Sequence, residues 1–102
     1  MNIIANAFSL QMIDTEVATS IQVEPVSVSE IPKDLVSAIG HADTANVVSE
    51  ILGQEIQMNR INVKLTGNDV LYVAQIVGGR LPEGATTLPE GFEIRFLKVK
   101  LS

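Results

Sequence analysis

Residues 70–77, VLYVAQIV, form an almost unbroken apolar run in which Gln75 is the one strongly polar side chain. Its length and β-branched members suit a strand, and a strand without alternation must be covered on both faces, so this one is expected at the centre of a sheet. Gly78 and Gly79 end the run and introduce Arg80. On the other side, Thr66, Gly67, Asn68 and Asp69 have the composition of a tight turn. Before them RINVKL, 60–65, alternates Ile61, Val63 and Leu65 with Arg60, Asn62 and Lys64, which predicts a strand in a hairpin with 70–77. EIRFLKVKL, 93–101, sets Ile94 and Phe96 against Arg95, Lys98 and Lys100 and reads as the last strand.

Further out, NIIANA at 2–7 suggests an opening strand, and Asn6, Ser9 and Gln11 around Phe8 and Leu10 suggest a polar turn with one buried side. VATSIQVEPVSV at 17–28 predicts a strand near 18–24, where Pro25 lacks the N–H that a central strand needs and so argues for an edge or a strand end. Residues 29–34 read as a turn or short helix around Pro32, and 35–39 as a strand that delivers a glycine and a histidine to the mouth of the sheet.

That delivery leads into IGHADTANVVSEILG, 39–53, which holds the only histidine, His41. Ala45, Val48, Ile51 and Leu52 recur at helical spacing and predict an amphipathic helix that Gly53 stops. Gly40 or His41 then stands at the helix entrance, where the first N–H groups have no intrahelical partner. An anion could rest there if glycine permits close approach, with the Thr44 hydroxyl on the same turn. The plain alternative is a capped helix packed on a sheet with a histidine that happens to end it.

Composition limits the choices. A chain of 102 residues, 46% hydrophobic and 19% charged, fits one globular domain, 1–102. The expected class is α/β, more narrowly α+β: a mixed, mainly antiparallel sheet of about five strands with flanking helices. The net charge of −5 argues against coating long nucleic acid, because such binding is driven by Lys and Arg neutralising phosphates. A small anion in a locally basic pocket is compatible with it. Without cysteine, thiol catalysis and thiolate zinc sites are excluded, and one histidine cannot build a multi-histidine metal site in a single chain, so no metal and no cofactor are expected. The N-terminus has no signal-peptide pattern, and no run approaches the roughly 20 apolar residues that span a membrane. A soluble, cytoplasmic protein without a membrane partner is expected.

Two tetrapeptides, Leu-Pro-Glu-Gly at 81–84 and 88–91, stiffen the segment after Arg80 and could hold Glu83 and Glu90 in place. Taken together, Asn-Ala-Phe-Ser at 6–9, Gly-His-x-x-Thr at 40–44, Asn-Arg at 59 and 60, and Gly-Arg-Leu-Pro-Glu-Gly at 79–84 follow one another in a telling order. In order and approximate spacing they resemble the viral ring nucleases, small anti-CRISPR proteins of archaeal viruses and bacteriophages with cellular relatives. The resemblance covers nearly the whole chain. It implies a homodimer with a mixed sheet that degrades cyclic tetra-adenylate, the second messenger of type III CRISPR immunity, in the cytoplasm of the host cell. On the same resemblance His41 matches the catalytic histidine, and Arg80 and Glu83 match the arginine and glutamate that support it. Asn6, Ser9, Thr44, Arg60 and Gln75 fall at or near ligand-contacting positions.

The residues suit that chemistry on their own terms. An RNA-type phosphodiester carries its nucleophile, the adjacent 2′-hydroxyl, so neither serine, cysteine nor metal is required. What remains is to stabilise charge on the phosphorane, which suits a guanidinium, and to protonate the departing 5′-oxygen, which suits a histidine because both of its forms exist near neutrality. The competing readings are a non-catalytic regulator that binds a nucleotide or short nucleic acid in the same pocket, and an assembly protein with no nucleotide affinity.

Overall fold

In the computed structural model, which describes residues 1–101, the apolar run becomes a strand with neighbours on both edges. In chain order the strands are β1 (Asn2–Ala5), β2 (Ile21–Val26), β3 (Val36–Ser37), β4 (Val70–Val77) and β5 (Glu93–Leu101). They form one five-stranded mixed sheet in the order β2-β5-β4-β1-β3, with a single α-helix, α1 (Ala42–Leu52), and single 3₁₀ turns at Leu10–Met12 and Val28–Glu30. The expected α+β class is the observed one. β5 runs antiparallel to both β2 and β4, whereas β1 runs parallel to both β4 and β3.

Alternation along the strands divides the interior into two layers. Ile4, Tyr72, Ala74 and Phe96 face α1 and pack with Ile39, Ala45 and Val48. Ile3, Ala5, Leu71, Val73 and Val99 face the other way, where Ile13, Val63 and Leu65 cover them. This is why β4 reads as continuously apolar: Leu71 to Ala74 are all buried, and only from Gln75 onward does the strand emerge. On α1, Ala45 and Val48 are buried as the periodicity requires, Ile51 and Leu52 are half-buried, and Val47, off the expected stripe, is also fully enclosed. Burying a valine of this kind contributes roughly 1.5–3 kcal/mol. Gly53 ends the helix in the left-handed region at φ 67, and its N–H donates to the carbonyl of Ser49 at 3.0 Å.

The segment 60–65 departs from expectation: it belongs to no strand. β4 already has β1 on one edge and β5 on the other, so no edge is left for a preceding hairpin arm. The alternation is still real as a burial pattern. Val63 and Leu65 are buried against the second layer, held by Leu65 N–H donating to the Met12 carbonyl at 2.7 Å, while Ile61 is exposed. The hairpin partner of β4 is instead β5, through a long tip at 78–92. The opening strand is shorter than 2–7, the third is reduced to two residues of 35–39, and the second begins at Ile21 rather than 18. β2 occupies a sheet edge, where a proline such as Pro25 is tolerated.

Residues 66–69 do form the expected tight turn. The Asp69 carboxylate accepts from the Thr66 N–H at 2.9 Å and from its hydroxyl at 3.1 Å, and pairs with the N-terminal amine at 3.4 Å, joining the starts of β1 and β4. The Thr66 backbone bond, more than the amine, holds the Asp69 carboxyl below its usual range. A lowered native pKa stabilises the fold above the unfolded value of about 3.9 and ceases to do so as pH falls through the native value. Thermal melts of the chain and of Asp69→Asn should therefore differ near pH 7 and converge in acid below the unfolded pKa of about 3.9. A difference that stays constant with pH would remove the ionised carboxylate from this role.

Candidate functional site

Because β1, β3 and β4 are mutually parallel, their carboxyl ends open on one side of the sheet. β1 ends into Asn6, β3 runs through Ala38 and Gly40 to His41, and β4 runs through Gly78 and Gly79 to Arg80. Parallel sheets bind ligands outside the carboxyl ends of their strands, and here three of the four sequence motifs arrive there for topological reasons.

His41 is the N-cap of α1, with φ −133 and ψ 129, and its carbonyl accepts the first helical bond from Ala45 N–H at 3.0 Å. Its side chain makes no capping bond, unlike the serine or aspartate usual at this position, so the imidazole is exposed and free of partners among the described residues. It forms part of the wall of two adjoining recesses. One, of about 610 Å³, is bounded by His41, Asp43 and Thr44 on the helix side, by Ile76 at the end of β4, and by Gly79, Arg80, Leu81 and Glu83 on the hairpin tip. The other, of about 440 Å³, is bounded by Asn6, Ala38, Gly40 and His41 together with Arg60, Ile61 and Asn62.

The hairpin tip owes its path to glycine. Gly78 and Gly79 both have φ 129, and a Cβ on Gly78 would lie 3.0 Å from the Phe92 Cα. Each Leu-Pro-Glu-Gly then makes the same β-turn, with Ala85 N–H donating to the Pro82 carbonyl and Phe92 N–H to the Pro89 carbonyl, both at 3.1 Å, and with Gly84 and Gly91 at φ 81 and 85. Glycine at positive φ in the third place is the signature of a type II turn. Glu83 thus stands at a turn corner facing the first recess, while Glu90 occupies the equivalent corner of the second turn, outside it.

The charges are close to balanced. Arg80 shares the first recess with Asp43 and Glu83, and Arg60 adds a second guanidinium from the neighbouring one. Neither Arg80 nor Glu83 has an ion-pair or hydrogen-bond partner among the described residues, so both heads are available to a ligand, as are the first N–H groups of α1.

The remaining candidates separate. Thr44 lies in the first recess and Asn6, Gly40 and Arg60 in the second. Ser9 caps the 3₁₀ turn, accepting from Gln11 N–H at 3.1 Å, and lines a further recess with Lys64. Gln75 alternates with Ile76 and so lies on the sheet face away from α1, exposed, outside the histidine recess. Asp43, Ile76, Leu81, Ile61 and Asn62 line the recesses without having been singled out in sequence; Asp43 could have been, as the acidic residue in the first helical turn. No cluster of three or more His, Cys, Asp or Glu suited to a metal occurs among the described residues. No helix in them is long and apolar enough to cross a membrane.

Residues 2–99 match the model of the STIV B116-like family. Among solved structures the chain is similar to B116 of Sulfolobus turreted icosahedral virus, with 27% identity, a TM-score of 0.79 and 97% of each chain covered. No curated protein matches it.

The path of the tip gives a direct stability contrast. Gly53 and Gly78 both have positive φ, but a Cβ on Gly53 meets nothing within 4 Å. Gly53→Ala should cost about 1–2 kcal/mol for the left-handed backbone alone. Gly78→Ala should cost more, because Phe92 backbone must also move. Equal shifts of the urea midpoint would show that Phe92 does not confine the tip.

Proposed function

Since the chain belongs to the STIV B116-like family, and motifs far apart in it converge on one recess, we propose that it is a ring nuclease that cleaves cyclic tetra-adenylate and so counters type III CRISPR signalling. The observation that carries this reading is the placing of an unpartnered His41, Arg80 and Glu83 around one cavity, with Thr44 and the open helix N-terminus beside them.

In the proposed reaction a ligand 2′-oxygen attacks its own 3′-phosphorus, forming the 2′-O–P bond as the P–O5′ bond breaks. Arg80 offsets the added negative charge of the phosphorane, a contribution realised mainly in the transition state. His41 in its protonated form donates to the departing 5′-oxygen. Glu83, free of Arg80, accepts the proton from the 2′-hydroxyl. Two such cuts release linear di-adenylates ending in 2′,3′-cyclic phosphate. Because the substrate brings its own nucleophile, no metal-activated water is needed. Asp43 lies in the same recess, so its negative charge opposes an anion there, and the attraction that the rim exerts on the anionic ring is screened by salt.

Incubation with radiolabelled cyclic tetra-adenylate in EDTA should give these products. His41→Ala should lower the single-turnover rate by about 10²- to 10⁴-fold while retaining most of the affinity, since general acid catalysis acts in the transition state. Arg80→Ala should likewise lower the rate far more than it weakens binding. Binding without turnover by the intact chain would favour a nucleotide-binding regulator, and a loss under about tenfold in His41→Ala would take this residue out of the chemistry.

The same reading gives a homodimer with twofold symmetry. A ring of four equivalent units placed on a twofold axis presents the same groups to each subunit. Leu10 and Ile61, 64% and 47% exposed, lie beside the recesses and provide apolar surface for it. Light scattering at micromolar concentration should report twice the 11.0 kDa chain mass. A single-chain mass with and without ligand would contradict the twofold arrangement.

A further inference from the structure

Gly40, immediately before His41, is held on both sides by side chains from distant parts of the chain. Its N–H donates to Asn6 Oδ1 at 3.4 Å, and its carbonyl accepts from Arg60 Nε at 2.8 Å. These two bonds engage the successive peptide units on either side of the Gly40 Cα, so they restrain both of its backbone torsions.

Arg60 is in turn set by the segment that carries it. Asn59 donates from its backbone N–H to the Ile39 carbonyl and from Nδ2 to the Ser37 carbonyl, both at 2.8 Å, while Ser37 Oγ donates to the Gln57 carbonyl at 2.6 Å. Residues 57–60 therefore run as a strap along the free edge of β3. Behind the strap, Ser49 Oγ accepts from Ile56 N–H at 2.8 Å, which ties it to α1.

Gly40 itself is not in the left-handed region, and a Cβ there would meet Arg60 Cγ at an ordinary 3.5 Å. Its conformation does not demand glycine, so the freedom of a glycine next to His41 is a source of disorder that the two bonds remove. We propose that Asn6 and Arg60 are positioning residues that hold the His41 imidazole at the recess it shares with Arg80 by fixing the backbone on both sides of Gly40. The proposal rests on the ring-nuclease reading for its catalytic consequence. It gives both residues a role different from direct contact with the ligand. A displacement of about 1 Å in a reacting group can cost about 10²-fold in rate, whereas contacts that hold the ligand act on the dissociation constant.

The test uses Asn6→Ala, Arg60→Ala and the conservative Arg60→Lys, which keeps a donor on a long stem. Single-turnover rates at saturating cyclic tetra-adenylate, dissociation constants and hydrogen exchange of the Gly40 amide are measured for each. The alanine variants should lose about tenfold or more in rate with dissociation constants within about threefold, and Gly40 should exchange at least about tenfold faster in Asn6→Ala. Arg60→Lys should recover most of the rate lost in Arg60→Ala. Weakened binding with an unchanged rate at saturation would overturn the proposal in favour of direct ligand contact, and so would unchanged Gly40 exchange in Asn6→Ala. If the intact chain cleaves nothing, the ring-nuclease reading fails, and the exchange data alone then decide whether the clamp exists.

Discussion

The arrangement depends on the insertion of β1 between β3 and β4, parallel to both. Parallel strands cannot be joined by tight hairpins, so the chain must cross over between them, and α1 with the strap supplies the crossover from β3 past β1 to β4. The same insertion sends the carboxyl ends of three strands to one rim. Asn6, His41 and Arg80 reach that rim because each is the first polar group beyond one of those ends, and His41 is the wall that their two recesses share. The grouping is thus a by-product of strand order, and the hairpin tip with its first proline-glutamate-glycine turn closes the first recess from the remaining side.

The site is supported by backbone rather than by side-chain pairing. His41, Arg80 and Glu83 have no partners of their own among the described residues. What fixes them is an N-cap position, a pair of positive-φ glycines against Phe92, and a rigid turn. Such a site leaves every head group free for a ligand while confining the points from which they project. It also explains why an acidic protein can be read as an anion binder: the positive groups that matter are two arginines and a helix N-terminus at one rim, and the acidic surplus lies largely elsewhere.

Much of this was legible in the sequence, but unevenly. Local signals held where local physics decides: the helix from its 3.6-residue stripe and Gly53, the central strand from its unbroken apolar run, the edge from Pro25. RINVKL failed as a strand because alternation reports which side chains are buried, not whether an edge is free to pair, and β4 had none. Gln75 could be ranked beside Arg80 in sequence, yet period-two geometry turns it to the other face of the sheet. The bonds that meet at Gly40 join residues 6, 40 and 60, and no window of sequence contains them.

The most direct measurement follows the only histidine as a spectroscopic reporter. The His41 Cε1–H resonance is recorded while cyclic tetra-deoxyadenylate, which lacks the 2′-hydroxyl and cannot be cut by this route, is titrated into the protein. The account predicts a saturable shift of that resonance, which persists when Arg80 is replaced by alanine. A resonance that stays in place while binding is detected by another probe would put the ligand elsewhere on the molecule, and contradict the site at the rim of the parallel strands.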